Sequence, residues 1–325
     1  MKVGIIGAGN IGSVLCKKVK QIGWSIQFVL KNDGVYKNQS EKIDSKKNYK
    51  KYFDKLDIVF LAIPTIDDGS IAYEYMKYFL EKNIPVVTCE KGALSNYFSE
   101  LEKWKDKIGY SATVGGGTRL LRYVEERISP STQEIHSVIN GTLNYIFDEL
   151  LKGISLSDAV SEAQRLGYVE PGSKNSLEVI NKEAVGDIPM KTAILFNFAN
   201  VTKKKLRAKD IKINKITEKT LNQLIKKSNK MRYIVSITRE KNEKQEIIGG
   251  FNHTFNDWNI SGGFKNIGDS PLYTELVPSG VNNAVIIYEG KFGNDGTYKL
   301  SGQGAGAGPT ASSMIKDAIM LKGLK

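Results

Sequence analysis

Short runs of apolar residues alternate with amphipathic segments over about the first 115 residues of the chain. The run KVGIIG predicts a strand, and the apolar residues that follow it recur at helical spacing. Four more runs, SIQFVL, LDIVFLAIP, IPVVTCE and IGYSATVG, predict further strands, with helices such as GSIAYEYMKYFLEK and LSNYFSELEKWKDK between them. Continuously apolar strands that alternate with helices are typical of a parallel sheet covered on both faces.

The rest of the chain has a different pattern. NGTLNYIFDELLKG and SLSDAVSEAQRLG predict two helices, the second opened by a capping box from Ser155 to Asp158. From about residue 231 the chain becomes rich in strand signals, with MRYIVSITRE, EIIGGFNHTF, NNAVIIYEGKF and TYKLSG separated by turn residues. The last helix, after GQGAGAGPTA, is too short to fold alone, so we expect it to dock on another part of the protein.

The sequence GAGNIG has the G-x-G-x-x-G spacing and lies between the first predicted strand and the first predicted helix. Gly7 permits a tight turn, Gly9 lets the backbone approach a diphosphate, and Gly12 allows close packing of helix on strand. The N-terminus of the helix then faces the negative charge. This context predicts a Rossmann-type dinucleotide-binding domain.

The end of the second strand bears on which nicotinamide dinucleotide is bound. An acidic residue there binds the ribose 2′-hydroxyl of NAD, whereas a basic residue accommodates the 2′-phosphate of NADP. The sequence FVLKND places Lys31 near this point, with Asp33 two residues further along. We therefore predict NADP as the cofactor, with NAD as the alternative.

Two lysines occupy positions where a charge needs an explanation. Lys91 lies just past the end of a predicted buried strand, at the edge of the sheet where open α/β folds bind ligands. Lys191 lies four residues after Asp187, at the start of the apolar helix GDIPMKTAILFNFA. Such a pair is either an ion pair on a solvated face, worth about 0.3–0.5 kcal/mol, or part of a site where a lysine transfers a proton.

The composition restricts the classes of partner. The chain of 325 residues has 47 basic and 35 acidic residues, a net charge of +12, but its lysines are scattered and no nucleic-acid-binding motif is recognisable. We predict no nucleic-acid partner and expect the positive charge to favour anionic small molecules. Cys16 and Cys89 lack metal or redox spacing, and no run approaches the roughly 20 apolar residues of a membrane helix. We therefore predict a cytoplasmic protein that does not bind membranes.

Several motifs, in order along nearly the whole chain, resemble those of the homoserine dehydrogenase family. They are GAGNIG, AIPT, VVTCEKGALS, ATVGGGTRLL, INGTLNYIFDEL, EAQRLGYVEP, the Asp187–Lys191 pair and GQGAGAGPTAS. The resemblance implies NAD(P)-dependent interconversion of L-aspartate 4-semialdehyde and L-homoserine, on the branch of amino-acid biosynthesis towards threonine and methionine. It also implies a short, monofunctional form without a regulatory domain.

The resemblance completes the prediction of fold and domains. The fold class is α/β, with a Rossmann-type NAD(P)-binding domain at residues 1–137, completed by residues 302–325. Residues 138–301 are predicted to form an α+β catalytic domain that binds the amino-acid substrate and makes a homodimer. The C-terminal helix is expected to return to the nucleotide-binding domain.

The resemblance also implies roles for individual residues. Lys91 and Lys191 match the two active-site lysines of the family, and the second is the one assigned the proton transfer. The substrate-binding positions are Glu170, Asp187, Thr142 and Tyr168. The cofactor-binding positions are Gly7, Gly9, Asn10, Ile11, Gly12, Lys31, Pro64, Thr65, Lys91 and Gly304. The backbone at Val114, Gly116 and Thr118 matches a site for a monovalent cation such as sodium.

The chain departs from the family pattern between the predicted substrate acids. Residues 171–186 form a longer segment than usual and lack the expected acids, so Glu178 and Glu183 are candidate substitutes. Pro189 is acceptable only if its helix starts near Asp187. Asp187 would then be occupied as an N-cap instead of facing substrate.

Three further differences lie elsewhere. CEK replaces the common ANK, which places Glu90 beside Lys91, and we expect neighbouring side chains on a strand to point in opposite directions. Ser111 stands where the family usually has glutamate, and Arg119 where it usually has proline. Two alternative functions therefore stay open: a reductase for a related amino-acid semialdehyde, and a non-catalytic NAD(P)-binding sensor of the same fold.

Overall fold

A computed structural model describes residues 1–53, 55–169, 172–227, 231–239 and 248–324. The contacts divide the chain into two compact units. Unit 1 is Met1–Gly117 with Ala307–Lys325, and unit 2 is Thr118–Gly306. Unit 2 thus begins before residue 138, the boundary expected from the sequence, because the strand at Thr132–Val138 pairs with strands of unit 2.

The bounds of the elements are as follows. The strands are β1 (Lys2–Ile6), β2 (Ser25–Lys31), β3 (Gly34–Tyr36), β4 (Lys42–Asp44), β5 (Ile58–Leu61), β6 (Val86–Thr88), β7 (Ile108–Gly109), β8 (Thr132–Val138), β9 (Met231–Thr238), β10 (Ile248–Phe255), β11 (Trp258–Asn266), β12 (Asn282–Glu289) and β13 (Gly296–Gln303). The α-helices are α1 (Asn10–Gln21), α2 (Ser70–Glu81), α3 (Gly92–Asn96), α4 (Phe98–Leu101), α5 (Leu120–Arg127), α6 (Gly141–Leu151), α7 (Leu156–Arg165), α8 (Ser176–Asn181), α9 (Ile188–Ala199), α10 (Glu218–Lys226), α11 (Pro271–Leu276) and α12 (Ala307–Leu321). None of the helices in the described ranges is both long enough and apolar enough to span a bilayer.

Unit 1 is built on a seven-stranded sheet in the order β4-β3-β2-β1-β5-β6-β7. The five strands from β2 to β7 in this order are parallel, while β3 and β4 add an antiparallel hairpin at one edge. β2 and β5 lie on opposite sides of β1, so the strand order reverses at β1. The crevice between β1 and β5 is therefore the switch point at which open α/β sheets bind ligands. The parallel sheet confirms the predicted Rossmann-type fold.

The C-terminal helix α12 belongs to unit 1. Its buried side chains Ala311, Met314 and Ala318 join the core formed by β1, β5 and α1. Asp317, fully buried, accepts hydrogen bonds from the backbone N–H and the hydroxyl of Ser111, at 2.7 and 2.6 Å. Ser111, at a position where the resemblance leads us to expect glutamate, is therefore a partner of α12.

One predicted helix of unit 1 is broken. The segment LSNYFSELEKWKDK was expected to form a single helix, but it forms α3, α4 and a 3₁₀ helix at Glu102–Lys107. The break lies at Tyr97, whose φ and ψ of −122° and 24° are not helical and whose hydroxyl donates to Asp68 at 2.5 Å. A tertiary contact outweighs helix propensity here.

Unit 2 contains an antiparallel sheet in the order β10-β11-β9-β8-β12-β13. Helix α11 packs on one face, where Leu276 joins Val138, Ile234 and Ile286. Side chains alternate between the two faces of a sheet along each strand. Phe264 of β11 lies on the face opposite α11, and its ring centroid is 4.7 Å from that of Phe147 in α6. The predicted α+β pattern is confirmed, as is the Ser155–Asp158 cap at the start of α7.

A chain of polar side chains crosses three strands of this sheet. Lys265 donates to Ser236 Oγ at 3.0 Å, which lies 2.9 Å from His136 Nδ1, and His136 Nε2 lies 2.7 Å from Glu134 Oε2. A neutral His136 with its hydrogen on Nε2 satisfies every contact. Burial lowers the pKa of His136, and it lowers the pKa of Lys265 to about 8.

Candidate functional site

The glycine-rich turn after β1 has the close approaches that its motif requires. Gly7 has φ of +98°, and a Cβ there would lie 2.3 Å from the carbonyl oxygen of Ala62, just past the end of β5. A Cβ on Gly12 would lie 2.0 Å from the carbonyl oxygen of Gly7. At Gly9, by contrast, a Cβ would meet no atom within 4 Å. Two glycines therefore allow backbone packing, and the third leaves open space next to the turn.

The start of α1 suits a diphosphate group. Gly9 is the N-cap and has no side chain to bond the first backbone N–H groups of the helix, and the first two helical residues are Asn10 and Ile11. The first turn carries no acidic residue, so the positive end of the helix dipole is not neutralised locally. Together with the open space at Gly9, this arrangement fits the diphosphate of a dinucleotide.

Lys31 is the last residue of β2, the place where the ribose of the adenosine half is recognised. Its ammonium donates to the carbonyl of Gln39 at 2.5 Å and lies 4.1 Å from the centre of the Tyr36 ring. The amide of Gln39 donates in turn to the carbonyl of Ser13 at 3.2 Å, in the first turns of α1. This link holds the Lys31 side chain near the diphosphate-binding helix.

Asp33 is engaged elsewhere. Its carboxylate accepts the hydroxyl of Tyr36 at 2.6 Å and lies 3.7 Å from Lys42 Nζ. The hydrogen bond from Tyr36 holds the pKa of Asp33 below its usual value. Of the two charged groups that the sequence placed here, Lys31 is therefore the one on the strand end and Asp33 lies in the hairpin turn.

The loops after β5 and β6 meet through a carboxylate. β6 ends at Thr88, so the expectation that Glu90 and Lys91 are neighbours on a strand is wrong. Glu90 Oε1 instead accepts the hydroxyl of Thr65 at 2.5 Å and the backbone N–H of Gly92 at 2.5 Å. Lys91 is the N-cap residue of α3. The predicted cofactor positions Pro64, Thr65 and Lys91 thus belong to two turns that one buried side chain joins.

In unit 2, the predicted catalytic lysine lies on an unusual helix. α8 and α9 are joined without a break by a π-helical segment at Lys182–Asp187. This wider turn immediately precedes Pro189, which cannot donate an N–H and would clash with the preceding turn of a regular α-helix. Asp187 has helical φ and ψ of −81° and −44°, and its side chain makes no capping bond. The expectation that Asp187 is consumed as an N-cap is therefore wrong.

The Asp187–Lys191 pair is buried. Lys191 Nζ lies 2.7 Å from Asp187 Oδ2, and the two side chains are 11% and 14% exposed. This is not the solvated surface pair that its spacing usually indicates. Because taking both charges out of water is costly, their burial needs further partners.

Asn140, the N-cap of α6, supplies such a partner. Its Oδ1 accepts the N–H of Leu143 at 2.8 Å, while its Nδ2 donates to Glu183 Oε2 at 2.6 Å and to Asp187 Oδ2 at 2.9 Å. Glu183, Asp187 and Lys191 follow one another at intervals of four residues, and Glu183, like Lys191, is buried. Sequence analysis did not select Asn140, although an asparagine directly before the apolar periodicity of a helix is an N-cap signal.

The remaining substrate-binding predictions have different outcomes. Thr142 Oγ1 donates to the backbone carbonyl of Tyr168 at 2.7 Å, so the structure brings these two residues together. Glu170 lies outside the described residues. Of the two candidate substitutes, Glu178 accepts the N–H of Lys174 at 2.7 Å in the exposed cap of α8, whereas Glu183 joins Asp187.

The remaining predicted positions, Gly304 and the backbone of Val114, Gly116 and Thr118, lie outside the buried group of Asn140. Gly304 lies in unit 2, after β13, and its N–H donates to the carbonyl of Val281 at 3.1 Å. Val114 is fully buried, and Gly116 has φ of +51° at the start of a short 3₁₀ helix that ends at Thr118. Across the described ranges, no cluster of three or more His, Cys, Asp and Glu side chains could hold a metal ion. The backbone sodium site stays a prediction.

The fold and the glycine turn define the class: an α/β protein with a Rossmann-type dinucleotide-binding unit and a second α+β unit. A family model described as Homoserine dehydrogenase matches residues 123–319. The chain therefore belongs to the homoserine dehydrogenase family.

Individual relatives agree with this assignment. The chain is 26% identical over 260 residues to an NAD(+)-dependent homoserine dehydrogenase of Pseudomonas canavaninivorans, covering 78% of this chain and 66% of that protein. It is 25% identical over 339 residues to a homoserine dehydrogenase of Sulfurisphaera tokodaii, covering 99% of both chains. The structure of a hyperthermophilic archaeal homoserine dehydrogenase in complex with NADPH has the same fold, with a TM-score of 0.69, 20% identity, and coverage of 99% of this chain and 97% of that one.

Proposed function

We propose that this protein catalyses the NADP-dependent interconversion of L-aspartate 4-semialdehyde and L-homoserine. The single observation that supports this most strongly is the buried group of Glu183, Asp187 and Lys191, tied together by Asn140. A zwitterionic amino-acid substrate needs carboxylates for its ammonium group, and carbonyl reduction needs a cation beside the oxygen that becomes negative. This group offers both on one helix.

Each residue of this group has a role in the proposed reaction. A bound nicotinamide would supply or accept the hydride. Lys191 stabilises the negative charge that develops on the substrate oxygen and supplies the proton, and it takes the proton back in the reverse direction. Asp187 and Glu183 bind the substrate ammonium, and Asn140 holds both carboxylates in place. Thr142 and Tyr168 contact the amino-acid substrate. Lys91 matches the other active-site lysine of the family and assists the reaction.

The proposed cofactor is NADP, with NAD as the alternative. The diphosphate is bound at Gly9, Asn10 and Ile11, and Lys31 binds the 2′-phosphate. The support for NADP is that the charged residue ending β2 is a lysine, while Asp33 is bonded to Tyr36. We also propose a homodimer and a monovalent-cation site at Val114, Gly116 and Thr118, both of which follow from the family resemblance. A cytoplasmic location is proposed from the spacing of Cys16 and Cys89 and from the apolar pattern of the sequence.

The test is to mix the purified protein with L-homoserine and either NADP or NAD and to follow the reduced nicotinamide by its absorbance. We expect reduced cofactor to form with both, faster with NADP at equal concentration. Binding of NADP without turnover would overturn the proposal and favour a sensor. Turnover with another amino-acid alcohol but not with homoserine would assign the reaction to a related semialdehyde.

A further inference from the structure

Glu90 is a buried carboxylate whose partners are all donors. The residue is 2% exposed, and its Oε1 accepts the hydroxyl of Thr65 and the N–H of Gly92, each at 2.5 Å. Its Oε2 accepts the N–H of Ala93 at 2.9 Å, and its own N–H donates to Thr88 Oγ1 at 2.9 Å. The Glu90 side chain therefore connects Thr65, in the loop after β5, to the first turn of α3, which follows Lys91.

Further contacts join the same two segments. The amide of Asn96 donates to the backbone carbonyl of Asp68 at 2.9 Å, and the hydroxyl of Tyr97 donates to the Asp68 carboxylate at 2.5 Å. A Cβ on Gly92 would lie 2.6 Å from Gly69 Cα, so the backbones themselves are in close contact. Within this packed junction, Glu90 directly precedes Lys91 in the chain, and its carboxylate bonds the backbone of the two residues that follow Lys91.

The position of this junction in the sheet indicates which half of the dinucleotide it would contact. In a doubly wound fold, the adenosine half lies over the first strands, where the ribose is recognised at the end of β2, and the nicotinamide half lies over the strands on the other side of the switch point. β5 and β6 are on that other side. Their C-terminal ends carry Thr65 and Lys91.

We propose that Glu90 is a positioning residue that holds the Thr65 turn and Lys91 in place for the nicotinamide half of the cofactor. The inference rests on the cofactor part of the proposed function and not on the identity of the substrate. Glu90 acts through its neighbours and does not itself touch the reacting atoms.

Only a carboxylate satisfies this junction. The hydroxyl of Thr65 and the N–H groups of Gly92 and Ala93 converge on two acceptor oxygens. A glutamine has one acceptor oxygen, so in either orientation its amide NH₂ faces at least one backbone N–H. Glu90→Gln keeps the size of the side chain, and we expect it to displace the first turn of α3, whose N-cap is Lys91.

The experiment measures the affinity of the full-length Glu90→Gln variant for NADPH, NADP and 2′,5′-ADP by calorimetry. 2′,5′-ADP carries only the adenosine half, so it reports whether unit 1 is intact. We expect the Kd for NADPH and NADP to rise about tenfold, since a charge-assisted hydrogen bond is lost, with the Kd for 2′,5′-ADP changed less than about twofold. Glu100→Gln, which removes a carboxylate exposed on α4, is the matched control and should change none of the three.

Equal weakening of all three ligands would show that Glu90 supports only the stability of the unit and would overturn the inference, as would unchanged affinity for all of them. Thr65→Val gives a second test, because it removes one donor without altering α3. In a double-mutant cycle on NADPH affinity, Thr65→Val should add little to Glu90→Gln, and full additivity would contradict the junction. These titrations need no amino-acid substrate, so absent homoserine oxidation would defeat the proposed reaction and leave this result standing.

Discussion

The two units recognise their ligands by different means. In unit 1 the diphosphate-binding turn is made of backbone: Gly7 and Gly12 allow close packing, and Gly9 leaves open space at the start of α1. In unit 2 the site is made of side chains from separate segments, with Asn140 bonded to Glu183 and Asp187, 43 and 47 residues away.

This difference shows which functional sites depend on local chain geometry. A glycine turn requires a particular backbone over a few consecutive residues, so a substitution there acts sterically. The side-chain group requires a helix with a π turn, a cap on another helix, and charges that are partnered away from water. A substitution there changes chemistry and electrostatics, and the variants described below measure the size of such effects for individual side chains of the two units.

The largest effect is expected from Lys191→Ala. Losing the group that transfers the proton should lower kcat with homoserine by about 1000-fold, while the Kd for NADP stays within about twofold of the original value. Lys182→Ala, at an exposed position on the π segment, is the control and should retain activity. Steady-state kinetics and a fluorescence titration measure the two quantities. Substantial residual turnover would remove Lys191 from the proton-transfer role.

The loss of activity in Asn140→Ser should be about tenfold smaller than that in Lys191→Ala. Asn140→Ser keeps a residue that can cap α6 but loses both amide hydrogen bonds, so kcat/KM should fall about 100-fold. Ser155→Ala, which removes the cap of α7, should cost about 1 kcal/mol of unfolding free energy with kcat/KM unchanged. If Asn140→Ser retained kcat/KM within about threefold, Asn140 would be a helix cap and nothing more.

The buried polar chain of unit 2 predicts a stability effect of about 2 kcal/mol. Below about pH 8, Lys265 is protonated in both the folded and the unfolded chain. Between that pH and 10.5, the folded chain loses the proton while the unfolded chain keeps it, so the free energy of unfolding rises with pH. Denaturant unfolding of the original protein should therefore gain about 2 kcal/mol relative to Lys265→Met from pH 8 to about pH 10.

Lys219→Met, at an exposed position on α10, serves as the control for this pH dependence and should follow the original protein. At acidic pH, His136 also makes the free energy of unfolding increase with pH. Its pKa is lowered in the folded state, so the free energy of unfolding falls as the pH drops below about 6.5. If the difference in unfolding free energy between the original protein and Lys265→Met did not change from pH 8 to about pH 10, burial of the Lys265 ammonium would carry no energetic cost.

The smallest effect concerns cofactor choice. Lys31→Ala should raise the Kd for NADPH about tenfold and change the Kd for NADH less than about twofold, because only NADPH carries the 2′-phosphate. Lys20→Ala, at an exposed position late in α1, should leave the NADPH to NADH ratio of Kd values unaltered. Equal changes for both cofactors would show that Lys31 supports the strand end without reading the phosphate.

The sequence alone determined much of the framework. The alternation of apolar strands with helices predicted the parallel sheet of unit 1, and GAGNIG predicted a turn whose glycines make the required close approaches. The Ser155–Asp158 cap was also correctly predicted. These features are readable because neighbouring residues decide them: strand and helix periodicity, the φ range of glycine, and a cap bond three residues long.

Only the tertiary structure decided the rest. It broke the predicted helix at Tyr97 and bonded Glu90, which is not on a strand, to the first turn of α3. It also made Glu183, not Glu178, the second carboxylate that accepts a hydrogen bond from Asn140 beside Asp187. It also joined α8 to α9 through a π turn, so that Asp187 lies inside a continuous helix and its side chain does not serve as a cap. The physical reason is that buried charges take whichever partners the packing of distant segments provides, and no local pattern records those distances.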